Sequence, residues 1–127
     1  MLPKPWRVFR YIFQNINGLP INPRAHKHHQ IGAAFRDTEA DLFGMAEINL
    51  NFHRLDAASQ WFERFQHLRR NHSINSYNIH DSSTSNLLYG GTAQITIGPS
   101  CHRVLASGSD ESGLGRWVWT LLAGKNQ

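Results

Sequence analysis

The chain has 127 residues, 40% of them hydrophobic and including four Trp and seven Phe, so one packed domain fits and two ordinary ones do not. A charged fraction of 17% is too low for a disordered segment, while a net charge of +4 and a pI near 9.7 suit a polyanionic partner without requiring one. The single cysteine, Cys101, excludes an internal disulfide and a CxxC metal site and favours a reducing compartment.

The opening stretch MLPKPWRVFRYIF carries positive charge, but its apolar run is broken at Arg10 and Gln14. No segment approaches the ~18 uninterrupted apolar residues of a membrane span, and no signal peptide is expected. WRVFRYIFQNIN reads as a first strand closed by the turn signal NGLP. Pro23 suits the first turn of a helix over residues 23–38, with Ile31, Ala34, Phe35 and Thr38 on its apolar face. DLFGMAEIN then has the near-continuous apolar character of a strand buried on both faces, interrupted by Glu47.

Asp56 fits the N-cap of a second helix, with Ala58, Trp61, Phe62, Phe65 and Leu68 as its apolar stripe and Arg69 and Arg70 at its C-terminal end. INSYNIHD is a predicted strand, DSSTSN a polar loop, and TAQITIG alternates Ala93, Ile95 and Ile97 against Thr92, Gln94 and Thr96 as a strand does. SGSDESGLG reads as a flexible turn region and RWVWTLLAG as the last strand. The expected order is β-α-β-α-β-β-β in one α/β domain without repeats or a dividing linker.

The polar groups at strand ends carry the chemical interest. A carboxylate at the end of a buried strand is costly unless it is paired, hydrogen-bonded or bound to a metal, so Glu47 either bonds a nearby helix or arginine or serves a site. Asn15 also ends a strand. If the two strands are neighbours, both groups emerge on one edge of the sheet. Asn15 and Asn17 have an alternative role as plain turn residues, since Asn-Gly is a common turn pair.

Other clusters read more simply. His26 and His29 stand at i and i+3 in HKHH, but with no carboxylate or cysteine partner in range a solvated, partly basic helix face is the plainer reading. HLRRNH has the charges to touch phosphate, yet Arg69 and Arg70 equally suit the negative end of a helix dipole. Arg116, Trp117 and Trp119 have the chemistry to stack on nucleic acid, against the simpler expectation that the alternate tryptophans fill the sheet interior.

QNINGLP, a helix, DLFGMAEINLNF, a helix with Trp and Phe, YGGTAQITI and GLGRWVWTLLAGKNQ succeed one another as in the endonuclease/exonuclease/phosphatase superfamily. The chain most resembles the apurinic-type endonuclease domain of non-LTR retrotransposon polyproteins, over nearly its whole length from Trp6 to Gln127. The resemblance implies half of a four-layer α/β sandwich and metal-dependent nicking of DNA with Mg²⁺ or Mn²⁺. It places the family's site-organising asparagine on Asn15, as a catalytic residue, and its metal-binding glutamate on Glu47. Many members have Asp where this chain has Asn17, which weakens the acidic site here. Gly90 and Gly91 fall at a close backbone approach, where packing is the expected role.

The family continues into a catalytic Tyr, an Asp-x-Asn motif and an Asp-His pair, in a domain roughly twice this length. None of these comes after the GRWVW strand within the 127 residues, and His72, His80 and His102 precede that strand. Residues 1–127 thus read as a truncated domain, of little activity alone, with only Glu47 to hold the metal weakly. The rival reading is a non-enzymatic module: a basic nucleic-acid-binding remnant, or a half-domain that pairs with a second polypeptide or its own copy.

Overall fold

The computed structural model describes residues 4, 8–68 and 70–124, and shows a mixed α/β fold with two sheets. Strands β1 (Tyr11–Asn15) and β2 (Leu42–Ala46) pair in parallel, joined by the helix α1 (His26–Asp37). Parallel neighbours need such a crossover because the chain must return to the same end of the sheet. β3 (Asn71–Ser76) and β4 (Thr92–Ile97) complete a sheet of order β1-β2-β4-β3, with β4 antiparallel to both neighbours. β5 (Val104–Ser109) and β6 (Val118–Leu122) form a separate antiparallel pair.

The core lies between α1 and one face of the larger sheet. Phe43, Met45, Ala93 and Ile95 meet Ile31 and Phe35 of α1, and the Phe35 and Phe43 rings sit 4.5 Å apart. The other face is covered over β3 and β4 by the β5-β6 pair: Thr120 Oγ1 donates to Gln94 Oε1 at 2.7 Å, and Ser107 Oγ lies 3.4 Å from His72 Nε2. Ile95 and Thr96, wholly buried and pointing to opposite faces, show that the sheet is covered on both faces there.

Several expectations are corrected. The strand expected over INSYNIHD, residues 74–81, instead spans Asn71–Ser76, so residues 77–81 lie outside it. The second helix does not form: residues 57–59 and 61–63 are short 3₁₀ turns, separated by Gln60 in an extended conformation at ψ 168°. Gln60 Nε2 donates to the carbonyls of Phe52 (2.8 Å) and Leu55 (2.9 Å), which anchors the break. Trp61, Phe65 and Leu68 still reach the core, whereas Ala58 is exposed and Phe62 stands 74% exposed. Arg69 lies outside the described residues, and Arg70 is exposed.

α1 starts at His26 rather than at residue 23, because Asn22 Oδ1 accepts from Arg24 N–H (2.9 Å) and Ala25 is extended. Its buried face is His28, Ile31, Gly32 and Phe35, so Ala34 and Thr38 are not core residues. The tryptophans of the last strand do not fill the interior: Trp117 and Trp119 are each about half exposed, at 47% and 46%.

The region 107–115 is less loose than its composition implies. Residues 107–109 belong to β5, a strand not expected from the sequence, and Asp110 organises the turn that leads out of it. Its carboxylate accepts from Ser112 N and Oγ and from Arg116 N and Nε. Burial raises its pKa, but these donors outweigh burial and hold it at about 2. Among the described residues, no helix is long and apolar enough to cross a membrane.

Candidate functional site

The parallel register puts Asn15 opposite Ala46, so Glu47 lies one step beyond on the neighbouring strand. Adjacent strands run about 4.8 Å apart, which brings the two chain segments side by side at one edge of the sheet. The pairing continues past the strands. Ile16 N–H donates to Ala46 O (3.1 Å), Gly18 N–H to Glu47 O (2.7 Å) and Leu19 N–H to Ile48 O (2.9 Å).

The backbone at this edge is unusual. Asn17, Glu47 and Asn49 have φ of +52°, +56° and +60°, and Gly18, Gly90 and Gly91 are also left-handed. Asparagine tolerates this region and glycine prefers it, but glutamate does not, so Glu47 carries local strain. Its side chain is exposed, and among the described residues no hydrogen bond or ion pair engages its carboxylate. The cost of a buried carboxylate, expected for Glu47 from its place in an apolar run, therefore does not apply.

Asn15 serves as a turn residue: its Oδ1 accepts from Asn17 N–H at 2.9 Å. That bond identifies the carbonyl end of the amide and leaves the Nδ2 donors facing solvent from an exposed residue. Lys27, unremarkable in the sequence, reaches from α1 to donate to Ile16 O (2.7 Å) and Gly18 O (2.5 Å). It fixes the loop after β1 and brings a positive charge beside it.

Asn49 performs the same service on the other side. Its Oδ1 accepts from Gly90 N–H (2.9 Å), and its own N–H donates to Gly90 O (2.8 Å). The glycine pair is needed for close approach: a Cβ on Gly91 would lie 3.3 Å from Ile48 Cβ and from Ser76 O, with φ at +91°. Asn51, wholly buried, donates to Ser83 O and Ser85 O. The asparagines in this segment thus build the rim, and Glu47 is the free acidic group on it.

The structure does not gather the histidines into a metal site. Among the described residues no group of three or more His, Cys, Asp and Glu side chains is placed to hold a metal ion. His29 stacks on His67 with ring centroids 4.5 Å apart. Arg116 lies over Trp117, 4.9 Å from its centroid, while its Nε is held by Asp110.

His28, within a stretch expected to be a solvated face, is instead wholly buried beside Arg64. Arg64 Nη1 donates to Pro20 O (2.5 Å) and His28 Nε2 (3.2 Å), and Nη2 to Ile21 O and Ser59 O (2.7 Å each). Arginine has no acceptor, so His28 Nε2 must accept, and Nδ1 carries the proton toward Ala25 O at 3.2 Å. Burial above all, with the Arg64 charge adding to it, pushes the His28 pKa down to about 4. Arg64 also lines an open cleft of about 510 Å³ with Arg24, His29, Glu63 and His67.

The depressed His28 pKa has a signed consequence. The unfolded chain binds this proton near pH 6.5 and the folded chain only near 4, so stability is full above 6.5 and falls as pH drops toward 4. Urea midpoints measured across that window should decline with acidity. The decline should flatten in His28→Gln, leaving the smaller contribution of His67, whose pKa is lowered in the same direction. An equal slope in the variant would contradict the assignment. Asp110 acts in a separate window, between its ordinary value of 3.8 and about 2.

No protein-family model matches the chain, and no curated protein shows significant similarity to it.

Proposed function

We propose that the chain carries the metal- and phosphate-binding half of a phosphodiesterase domain of the endonuclease/exonuclease/phosphatase type, acting on DNA. The observation that carries this reading is Glu47: an unengaged, exposed carboxylate on a strained backbone, one step beyond the residue paired with Asn15. Strain of this kind concentrates at working sites, and ligands of α/β sheets gather at the carboxyl ends of strands. The order of motifs resembling the superfamily supports the same reading.

In this proposal a magnesium or manganese ion would be held weakly, through one carboxylate. These cations take oxygen ligands, and Mg²⁺ commonly keeps several waters while using one or two carboxylates and substrate phosphate. Glu47 would supply the carboxylate, and the Asn15 amide, with Nδ2 free, would donate to a phosphate oxygen. The Lys27 ammonium holds the Asn15 loop in place and adds positive charge beside it. When bound, the metal neutralises charge developing on the phosphate. In this proposal the oriented base and further donors belong to the family's later motifs, which these 127 residues do not contain.

Supercoiled plasmid incubated with the purified chain and Mg²⁺ or Mn²⁺ should stay intact, because groups that act as a unit in phosphoryl chemistry are not replaced by one ligand. Robust nicking abolished by Glu47→Ala would place the whole catalytic apparatus within these residues and overturn the division proposed here.

A further inference from the structure

We propose that two copies of the chain associate through β1, whose outer edges pair antiparallel about a two-fold axis to join the two larger sheets into one. β1 is the terminal strand of its sheet, and among the described residues no element pairs with its outer edge. Leu42 N–H donates to Arg10 O and Ile16 N–H to Ala46 O, so the even-numbered residues turn their main-chain groups toward β2. Tyr11, Phe13 and Asn15 therefore turn theirs away. Such a row of free donors and acceptors is a template for another strand.

Several features select a second copy as the occupant. An edge that pairs antiparallel with itself about its central residue satisfies two-fold symmetry, and Phe13 is the centre of Tyr11–Asn15. The segment YIFQN has no charge, no proline and no lysine, the usual devices that block an edge. The +4 net charge of the chain therefore does not set like charges against each other within the paired strands.

The flanking surface is aromatic. Tyr11 and Phe13 are 51% and 58% exposed on the sheet face that the β5-β6 pair leaves open, and they line one groove with Gly44 and Trp117. Gly44 is needed beneath them: a Cβ there would come within 2.5 Å of the Tyr11 hydroxyl and 2.9 Å of the Phe13 ring. Three half-exposed rings offer roughly 200–400 Å² per copy, taking about 150–250 Å² for a wholly buried ring. That is about a quarter to a half of the ≈ 800 Å² per partner of a stable interface, and the paired backbone adds to it.

Sedimentation velocity from low to high micromolar concentration should show a monomer-dimer equilibrium, and hydrogen exchange should show Tyr11 and Phe13 amides gaining protection with concentration. Phe13→Lys puts a charge at the axis, and Phe13→Pro removes an N–H that does not bond β2; both should be monomeric, with the wild-type circular dichroism. Leu121→Lys, on the exposed face of β6, should leave the dimer intact. A wild-type chain monomeric throughout would overturn the proposal. So would unprotected Tyr11 and Phe13 amides in a dimer, or a dimer lost on Leu121→Lys but kept in the Phe13 variants.

Discussion

Arg64→Ala is expected to lower the unfolding free energy by about 3–5 kcal/mol, because charge-assisted hydrogen bonds to three carbonyls, worth roughly 1.5–3 kcal/mol each, are lost and the relieved desolvation of the guanidinium offsets part of their sum. Three carbonyls depend on this guanidinium, those of Pro20, Ile21 and Ser59, and they come from two segments that no strand pairing joins. These carbonyls are part-buried, so each one left without its donor costs at most about 1–3 kcal/mol. The desolvation of an arginine whose pKa burial lowers to about 10 offsets part of this, but the lost donors outnumber the single relieved charge. Arg64→Met fills similar volume without donors and should recover only part of the loss. Urea unfolding at neutral pH measures both; a change below about 1 kcal/mol for alanine would show that water replaces the guanidinium without penalty.

Trp61→Ala should cost a comparable 3–5 kcal/mol, roughly the loss on truncation of a buried aromatic. The indole is nearly buried, packs within 5.4 Å of the Phe65 ring centroid, and donates from Nε1 to Ser73 Oγ at 3.1 Å, tying the 3₁₀ segment to β3. Phe62→Ala, one residue on, should lie within about 0.5 kcal/mol of neutral because its ring faces solvent. Thermal or urea melts of the pair distinguish this arrangement from the amphipathic helix expected of the sequence, in which both rings would be buried. Equal, large losses at both positions would contradict the structure.

The contrast between Trp61 and Phe62 shows what a sequence pattern can and cannot convey. Spacings of four and three between Trp61, Phe65 and Leu68 bring side chains to one side in a helix, and the irregular segment buries the same three residues. Periodicity located the buried residues but misjudged the backbone, because the Gln60 bonds to Phe52 O and Leu55 O are tertiary. β2 and β4 were legible from LFGMA and TAQITI, whose apolar runs leave little choice of face. β5, VLASGS, was not, since small and polar residues carry no strand signal when burial is partial.

The same limits apply at the rim of the sheet. That Asn15 and Glu47 end neighbouring strands was legible in the β-α-β order, because a helical crossover makes the two strands parallel. The exposure of Glu47 and its positive φ were not, since they depend on the loop carrying Gly90 and Gly91. His28 was hidden among four consecutive basic residues, although its distance of three from Ile31 and seven from Phe35 places it on the buried face. Nothing in WFERF marks Arg64 as buried, for its acceptors come from residues 20, 21 and 59.

Glu47, with Asn15 beside it, is proposed to form a divalent-cation site at the ends of β1 and β2. The test is to titrate Mn²⁺ into the isotopically labelled chain and read paramagnetic broadening of each amide. Broadening is expected to centre on residues 15–18 and 47–49, to be reversed by excess Mg²⁺ and to be abolished in Glu47→Gln, whose exposed side chain can change without loss of fold. Broadening centred on the histidines of residues 26–29, or broadening at the rim that Glu47→Gln leaves unchanged, would contradict it.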